Sequence, residues 1–350
     1  MDRVSSQETR EKGANRNGLT DRSESARKRR DSEKSDDITP DEARKLLSAA
    51  RENPDIMRRS ADCISIIGRL CAAGYTEEAW SMIEEGPGQV RDSELVRFFK
   101  AAGLSPAEMI SKVENLPYKG EAFNALRGYF SSLDPASTSA LLADPSFKEF
   151  IRKLDESSPG VLGRAISASL TGRLAFSGST AEKMAARDLA MRYHADGVLN
   201  DGQFVQILKA DETGDSFDKW ALVANALPNP GRGSDAATLR KDVIEGMVNA
   251  DAPKALQQLA KVPGRQGFLD LLAGVKKWGN MDPSAAAQWF QTSRNGLNQT
   301  QRDSVAMAFY QLALDAGEPE GAEQWAGEIS NAQLKQEAVK RLPKKASSEK

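Results

Sequence analysis

By residue type, the side chains best suited to nucleophilic or acid–base chemistry in this chain are its one histidine, His194, and its two cysteines, Cys63 and Cys71. A histidine works as a general base when a nucleophile lies within hydrogen-bond reach and a carboxylate orients the ring. His194 instead precedes Ala195, Asp196 and Gly197, the pattern of a helix end, where the helix dipole favours a charged imidazole. No GxSxG, HExxH or P-loop pattern accompanies it. The cysteines fall eight residues apart in one expected helix, roughly 12 Å along its axis. Bridged Cα atoms lie within about 7 Å, so the two cannot pair with each other. Cys63 stands in an apolar run with Ile64, Ile66 and Ile67 and reads as a small core residue. With one histidine, the chain offers no Cys/His cluster of the kind zinc favours.

Paired carboxylates cleave glycosidic bonds without a histidine, and some enzymes of that kind are rings of helical hairpins. Asp and Glu number 50 here, so pairs arise by chance and spacing singles none out. Glu42, Asp134, Asp144 and Asp282 sit at helix starts, where capping and the dipole account for them. The loop PNPGRGS, residues 228–234, resembles a phosphate cradle but lacks the lysine and follows a helix rather than a strand. Trp80, Trp289 and Trp325 lie on helix faces among Ala and Ile, which suits packing better than a sugar platform. The sequence therefore assigns no catalytic, cofactor-binding or metal-ligating residue and implies no cofactor.

The elements that would position such groups are helices throughout. Between about Asp251 and Leu342 a proline with a hydrophobic residue six positions later recurs three times: Pro253 with Leu259, Pro283 with Trp289, Pro319 with Trp325. The prolines are 30 and 36 residues apart, the spacing of helical hairpins that stack on one another. Partner helices follow, marked by Phe268, Leu272 and Val275, by Val305, Phe309 and Leu312, and by Leu334, Ala338 and Leu342. Upstream, Thr39, Pro40 and Glu42 open a helix as N-cap, first-turn proline and capping-box carboxylate. Asn53 with Pro54 opens the next, which carries Ile56, Cys63, Ile67 and Leu70, and Thr76 caps a third. Ser105-Pro106, Asp134-Pro135, Asp144-Pro145 and Thr180 start others, and no alternating strand is visible.

Residues 1–38 have almost no large apolar side chains and are expected to be a disordered polyampholyte arm, its basic cluster Arg27–Arg30 diluted by acidic neighbours. Residues 39–342 are expected to form the helical repeat domain, with PNPGRGS as either a subdomain break or a surface loop. Residues 343–350 read as a frayed tail. The last helix, about Ala332–Leu342, should cap the stack and expose Lys335 and Glu337, leaving a monomer. A formal net charge of -2 implies no specific nucleic-acid partner. No run approaches the roughly 18 apolar residues of a membrane span. The sequence as it stands reads as cytoplasmic, and a signal ahead of Met1 would make it exported or periplasmic.

The hairpins that carry Asp282, Pro283, Ala286 and Trp289, and Glu318, Pro319, Ala322 and Trp325, resemble the helical repeats of uncharacterised bacterial proteins, often exported. They are also broadly similar to HEAT and tetratricopeptide repeats, without the fixed 34-residue period of the latter. The resemblance covers about residues 251–342 and implies an all-α, right-handed solenoid and, by analogy, a non-enzymatic scaffold for a protein or peptide partner. The alternative is a glycan-active or glycan-binding protein whose helices close into a ring around a carboxylate pair.

Overall fold

A computed structural model of the chain describes residues 38–118, 120–176 and 179–343. The arm expected over residues 1–37 and the tail beyond Pro343 lie outside the described residues. Every regular element among the described residues is helical, and no strand occurs there. No helix of the described residues is long and apolar enough to cross a membrane. The chain divides between Ala102 and Gly103 into two compact units.

The first unit holds α1 (Pro40–Arg51), α2 (Ile56–Ala72), α3 (Thr76–Glu84) and α4 (Gly88–Ala101). Ile38, expected at the end of the arm, is buried, so the core begins one residue ahead of the Thr39 cap. The Thr39 hydroxyl accepts from the Glu42 amide at 3.3 Å. Two expected caps shift by a residue or two. Asp55 caps α2 through the amides of Met57 and Arg58, while Asn53 accepts from the Asp55 amide. Thr76 lies inside α3, which has no side-chain cap. Helix α2 packs on α1, α3 and α4, burying Cys63, Ile67 and Leu70, and Trp80 meets Phe99 edge to face with ring centres 5.9 Å apart.

The second unit begins with α5 (Pro106–Glu114), α6 (Glu121–Ser132), α7 (Pro135–Ala143), α8 (Pro145–Ser157), α9 (Val161–Phe176), α10 (Thr180–Ala195), α11 (Asp201–Ala210) and α12 (Ser216–Ala226). It continues with α13 (Asp235–Leu259), α14 (Gly264–Met281), α15 (Pro283–Ser293), α16 (Gln299–Asp315), α17 (Pro319–Glu328) and α18 (Ala332–Arg341). Helix α6 packs on α9, α9 on α11, α11 on α13, α13 on α14 and α14 on α16. Shorter helices flank this series: α10 touches α9 and α11, α12 touches α13, α15 touches α14, and α17 touches α16. At the far end the Tyr310 hydroxyl donates to the Ala338 carbonyl (2.7 Å), and Lys335 and Glu337 are exposed.

The repeated pattern appears as a repeated corner. Helix α13 bends at Asp251 (φ -160°, ψ 92°), α14 ends and α15 begins at Asp282 (φ -147°, ψ 88°), and Glu318 (φ -104°, ψ 76°) precedes α17. Asp251 and Asp282 each accept from the amide three residues on, Lys254 and Ala285, at 3.0 and 2.9 Å. Counted from the corners, Ala255, Ala286 and Ala322 are equivalent, and all three are buried. In this register the position of Trp289 and Trp325 is filled in the first copy by Gln258, and Leu259 corresponds to Phe290 and Ala326. The proline-based pairing of Leu259 with the tryptophans is thus off by one. The first amides of a helix have no intrahelical acceptor, so proline fits at either of the first two positions and marks the start only to within a residue.

Long polar side chains satisfy the last carbonyls of neighbouring helices, which have no amide of their own helix to pair with. Arg91 donates to the Glu84 and Gly86 carbonyls after α3, Arg173 to those of Phe130 and Leu133 after α6, and Gln301 to that of Ala260 after α13. Buried Asp303 does the converse, accepting from the Ser330 and Asn331 amides at 2.8 and 3.0 Å and so fixing the loop into α18.

Candidate functional site: a cationic groove

The residues singled out by type are placed in structural roles. His194 lies in the last turn of α10, stacks on Phe204 (centroids 4.5 Å apart) and sets Nε2 2.9 Å from Asp201 at the start of α11. Cys63 and Cys71 are both buried free thiols. Burial is the main cause pushing each thiol up to about 11, with Glu94 adding to it for Cys63 and Arg97 opposing it for Cys71. Such thiols are protonated and poorly nucleophilic near neutrality.

Of the carboxylates at helix starts, Asp134, Asp144 and Asp282 are occupied as caps, while the Glu42 carboxylate closes no capping box. Asp134 accepts from the Ser137 hydroxyl and from the amides of Ala136 and Ser137, and these bonds, the hydroxyl first, hold its carboxyl below the ordinary value. Glu108 is lowered in the same way, first by the Ser105 hydroxyl, within a complete capping box. All five tryptophans are buried or half-buried; Trp289 lies near Trp278, and Trp325 stacks on Phe309 with centroids 4.5 Å apart. Among the described residues no group of three or more His, Cys, Asp and Glu side chains is placed to hold a metal ion.

What the structure assembles instead is a groove of about 770 Å³ within the second unit, between the loop 228–234 and one face each of α13 and α14. Helical spacing selects the lining: Ala237, Arg240, Lys241 and Ile244 are one stripe of α13, and Arg265, Leu269 and Ala273 one stripe of α14. Gly233, with φ 75°, turns the loop in the left-handed region, and Ser234 then caps α13 through the Ala237 amide (3.2 Å). Val262 brings its carbonyl so close to Gly267 that a side chain there would collide with it, which seats the first turns of α14 at the groove edge.

Beneath the groove lies a buried ion pair. Arg240 donates from Nε and Nη2 to the two oxygens of Asp270 (2.8 and 2.6 Å), and from Nη1 to the Leu227 carbonyl at the end of α12 (2.9 Å). Its guanidinium also covers the Trp220 ring at 4.7 Å. Gln266 donates to Asp270 as well, at 2.8 Å. Both partners of the pair are 2% exposed, so it holds α12, α13 and α14 together and offers nothing to solvent.

The rim differs. Arg232, Lys241 and Arg265 are exposed, and Lys241 reaches Glu245 at 3.5 Å. Arg232 and Arg265 have no hydrogen bond or ion pair among the described residues. Leu269 stands between the helices 44% exposed. A single carboxylate, Asp270, lines the groove, and it is already saturated. This arrangement can attract and orient carboxylates against an aliphatic surface, and it contains no acid–base pair. The sequence showed one edge of it in PNPGRGS. Arg265 and Leu269 gave no local signal, because only the packing of α14 on α13 brings them to that loop. Comparison of the chain with protein-family models, with curated proteins and with solved structures gives no significant match.

Proposed function

We propose that this chain is a non-enzymatic interaction scaffold, a right-handed stack of helical hairpins of the HEAT and tetratricopeptide-like kind that holds a protein or peptide partner. Packing between helices close in sequence supports the stacked architecture, since repeat proteins draw their stability from neighbour contacts and keep a continuous face for a partner. The observation that carries the function is the make-up of the groove over residues 229–273: cations and aliphatic surface around one carboxylate that is already paired. Glycosidic cleavage needs two carboxyl groups about 5 to 9.5 Å apart across the bond, and this groove does not supply the second.

The test sets the two classes of function against each other. The full chain is applied to an array of random-sequence peptides and to an array of oligosaccharides, with reducing ends assayed after incubation. The scaffold reading expects saturable peptide binding and no new reducing ends. Glycan cleavage, or glycan binding without peptide binding, would overturn it.

A further inference from the structure

We propose that the groove over residues 229–273 takes an acidic peptide segment bearing an aliphatic or aromatic anchor, the carboxylates meeting Arg232 and Arg265 and the anchor covering Leu269. This rests on the scaffold reading and names the partner's chemistry. Charge complementarity is the first argument. The lining carries Arg232, Arg240, Lys241 and Arg265 against Asp270 alone, and the buried pair cancels Arg240 with Asp270. Lys241 is partly answered by Glu245, which leaves two guanidinium groups at the rim unanswered among the described residues. Guanidinium groups bind carboxylates through two parallel hydrogen bonds and are weakly hydrated, so they suit this role better than lysines do.

The position of Arg265 is the second argument. It lies in the first turn of α14, where the helix dipole is positive and a cation opposes it. The N-cap of that helix, Pro263, provides no side-chain acceptor. Arg265 therefore does not serve its own helix, and both it and the uncapped amides beside it favour an incoming anion. Third, Leu269 stands one helical turn beyond Arg265 and exposes aliphatic surface in the same stripe as Ala273, with Ile244 as floor. A short segment fits the volume, which is in the range of small-ligand sites.

Nucleic acid fits less well. Single strands are held by a track of many cations interleaved with exposed aromatic rings, and no aromatic side chain lines this groove.

The test uses the full chain and a fluorescein-labelled octapeptide with a central Leu-Phe pair flanked on each side by three glutamates. Companion probes replace the glutamates with lysines, replace Leu-Phe with Ser-Ser, or substitute a short single-stranded oligonucleotide. Fluorescence anisotropy should show saturable binding of the acidic anchored peptide, weakened by added salt. The Lys and Ser-Ser peptides and the oligonucleotide should each bind at least tenfold more weakly. The double variant Arg232→Glu with Arg265→Glu, and separately Leu269→Asp, should weaken binding at least tenfold while keeping the thermal midpoint of the parent. Arg265→Glu places an acid where the dipole favours it, so this variant is not expected to unfold. Equal binding by the variants, equal binding of the Ser-Ser peptide, tighter binding of the oligonucleotide, or no binding of the acidic peptide would each overturn the proposal. If the random-peptide array then shows other peptides bound, only this partner assignment fails; if it shows none, the scaffold reading fails with it.

Discussion

Each unit of the molecule contains an arginine–carboxylate pair beneath a groove, fully buried in the second unit and with a partly exposed arginine in the first, and the two grooves differ at the rim. In the first unit Arg51 donates from Nε and Nη2 to Glu94 (3.1 and 3.0 Å) and also to the Met82 carbonyl, close to the end of α3 (2.7 Å). In the second unit Arg240 does the same to Asp270 and to the end of α12. Above the first pair is a groove of about 370 Å³ where Arg44 is paired with Glu85 at 2.5 Å and Glu52 adds a further carboxylate, so no cation of the lining is left unanswered. Above the second, the Arg232 and Arg265 side chains have no partner among the described residues and the lining is cationic. The pair is therefore a fold device common to both units, and the unpaired rim is what sets the second groove apart.

The largest expected effect comes from breaking the pairs. Asp270→Ala leaves Arg240 buried without a counter-charge and should cost about 3–5 kcal/mol in urea denaturation, and Glu94→Ala should cost a similar amount in the first unit. Replacing Arg240 with Met and Asp270 with Leu together should cost less, on the order of 1–3 kcal/mol, chiefly for the carbonyl of Leu227 left without a donor. A double variant as unstable as Asp270→Ala would mean the pair does more than hold helices.

Within the second unit, Trp289→Ala should cost roughly 3–5 kcal/mol as the loss of a buried ring, and Trp325→Ala less, since that ring is half-buried. Gln258→Ala, at the equivalent point of the first copy, should stay within about 1 kcal/mol. A cost for Gln258 matching that of Trp289 would contradict the corner-based register.

The units should also differ with pH. Cys63 and Cys71, both in the first unit, are pushed up to about 11 by burial. Above the ordinary thiol pKa the unfolded chain loses these protons while the folded chain keeps them, so the folded state binds more protons and stability falls as pH rises. The loss should begin near pH 9 and grow through the window up to about 11, and the second unit should follow only at higher pH, where burial raises Tyr129, Tyr193 and Tyr310 above the ordinary phenol value. Urea midpoints measured across that range should fall, and the fall should shrink when both cysteines are replaced by alanine. Smallest of all, Arg232→Glu with Arg265→Glu should change stability by no more than about 0.5 kcal/mol, because neither side chain has a partner to lose. Arg44→Glu breaks only an exposed, solvent-screened pair and should likewise leave the urea midpoint almost unchanged.

The helices were legible because their start signals are local: the Ser105 start proves to be a capping box with Glu108, and the Asp-Pro starts at residues 134, 144 and 282 all cap helices, whereas Glu42, expected to close a box with Thr39, contributes only its amide. Periodicity was a weaker guide to burial. Ile56 lies on the stripe of Cys63 and Ile67 yet is 69% exposed, since spacing tells which way a side chain points and not how far along the helix a neighbour reaches. The groove was the least legible part. Its cations come from a loop and two helices, and a lone arginine in an exposed helical turn carries no sign of which side chains stand opposite. The buried pair was hidden for the same reason, as Arg240 and Asp270 are 30 residues apart and look like two more solvated charges.

The most direct measurement is amide hydrogen exchange on the full chain, with and without the acidic octapeptide carrying Leu-Phe. The account predicts slowed exchange over residues 229–244 and 265–273 and none over 44–52 or 82–87, where the arginines of the other groove are already paired. Slowing confined to the first unit, equal slowing in both, or no slowing anywhere would contradict the claim that the unpaired rim makes the second groove a binding surface.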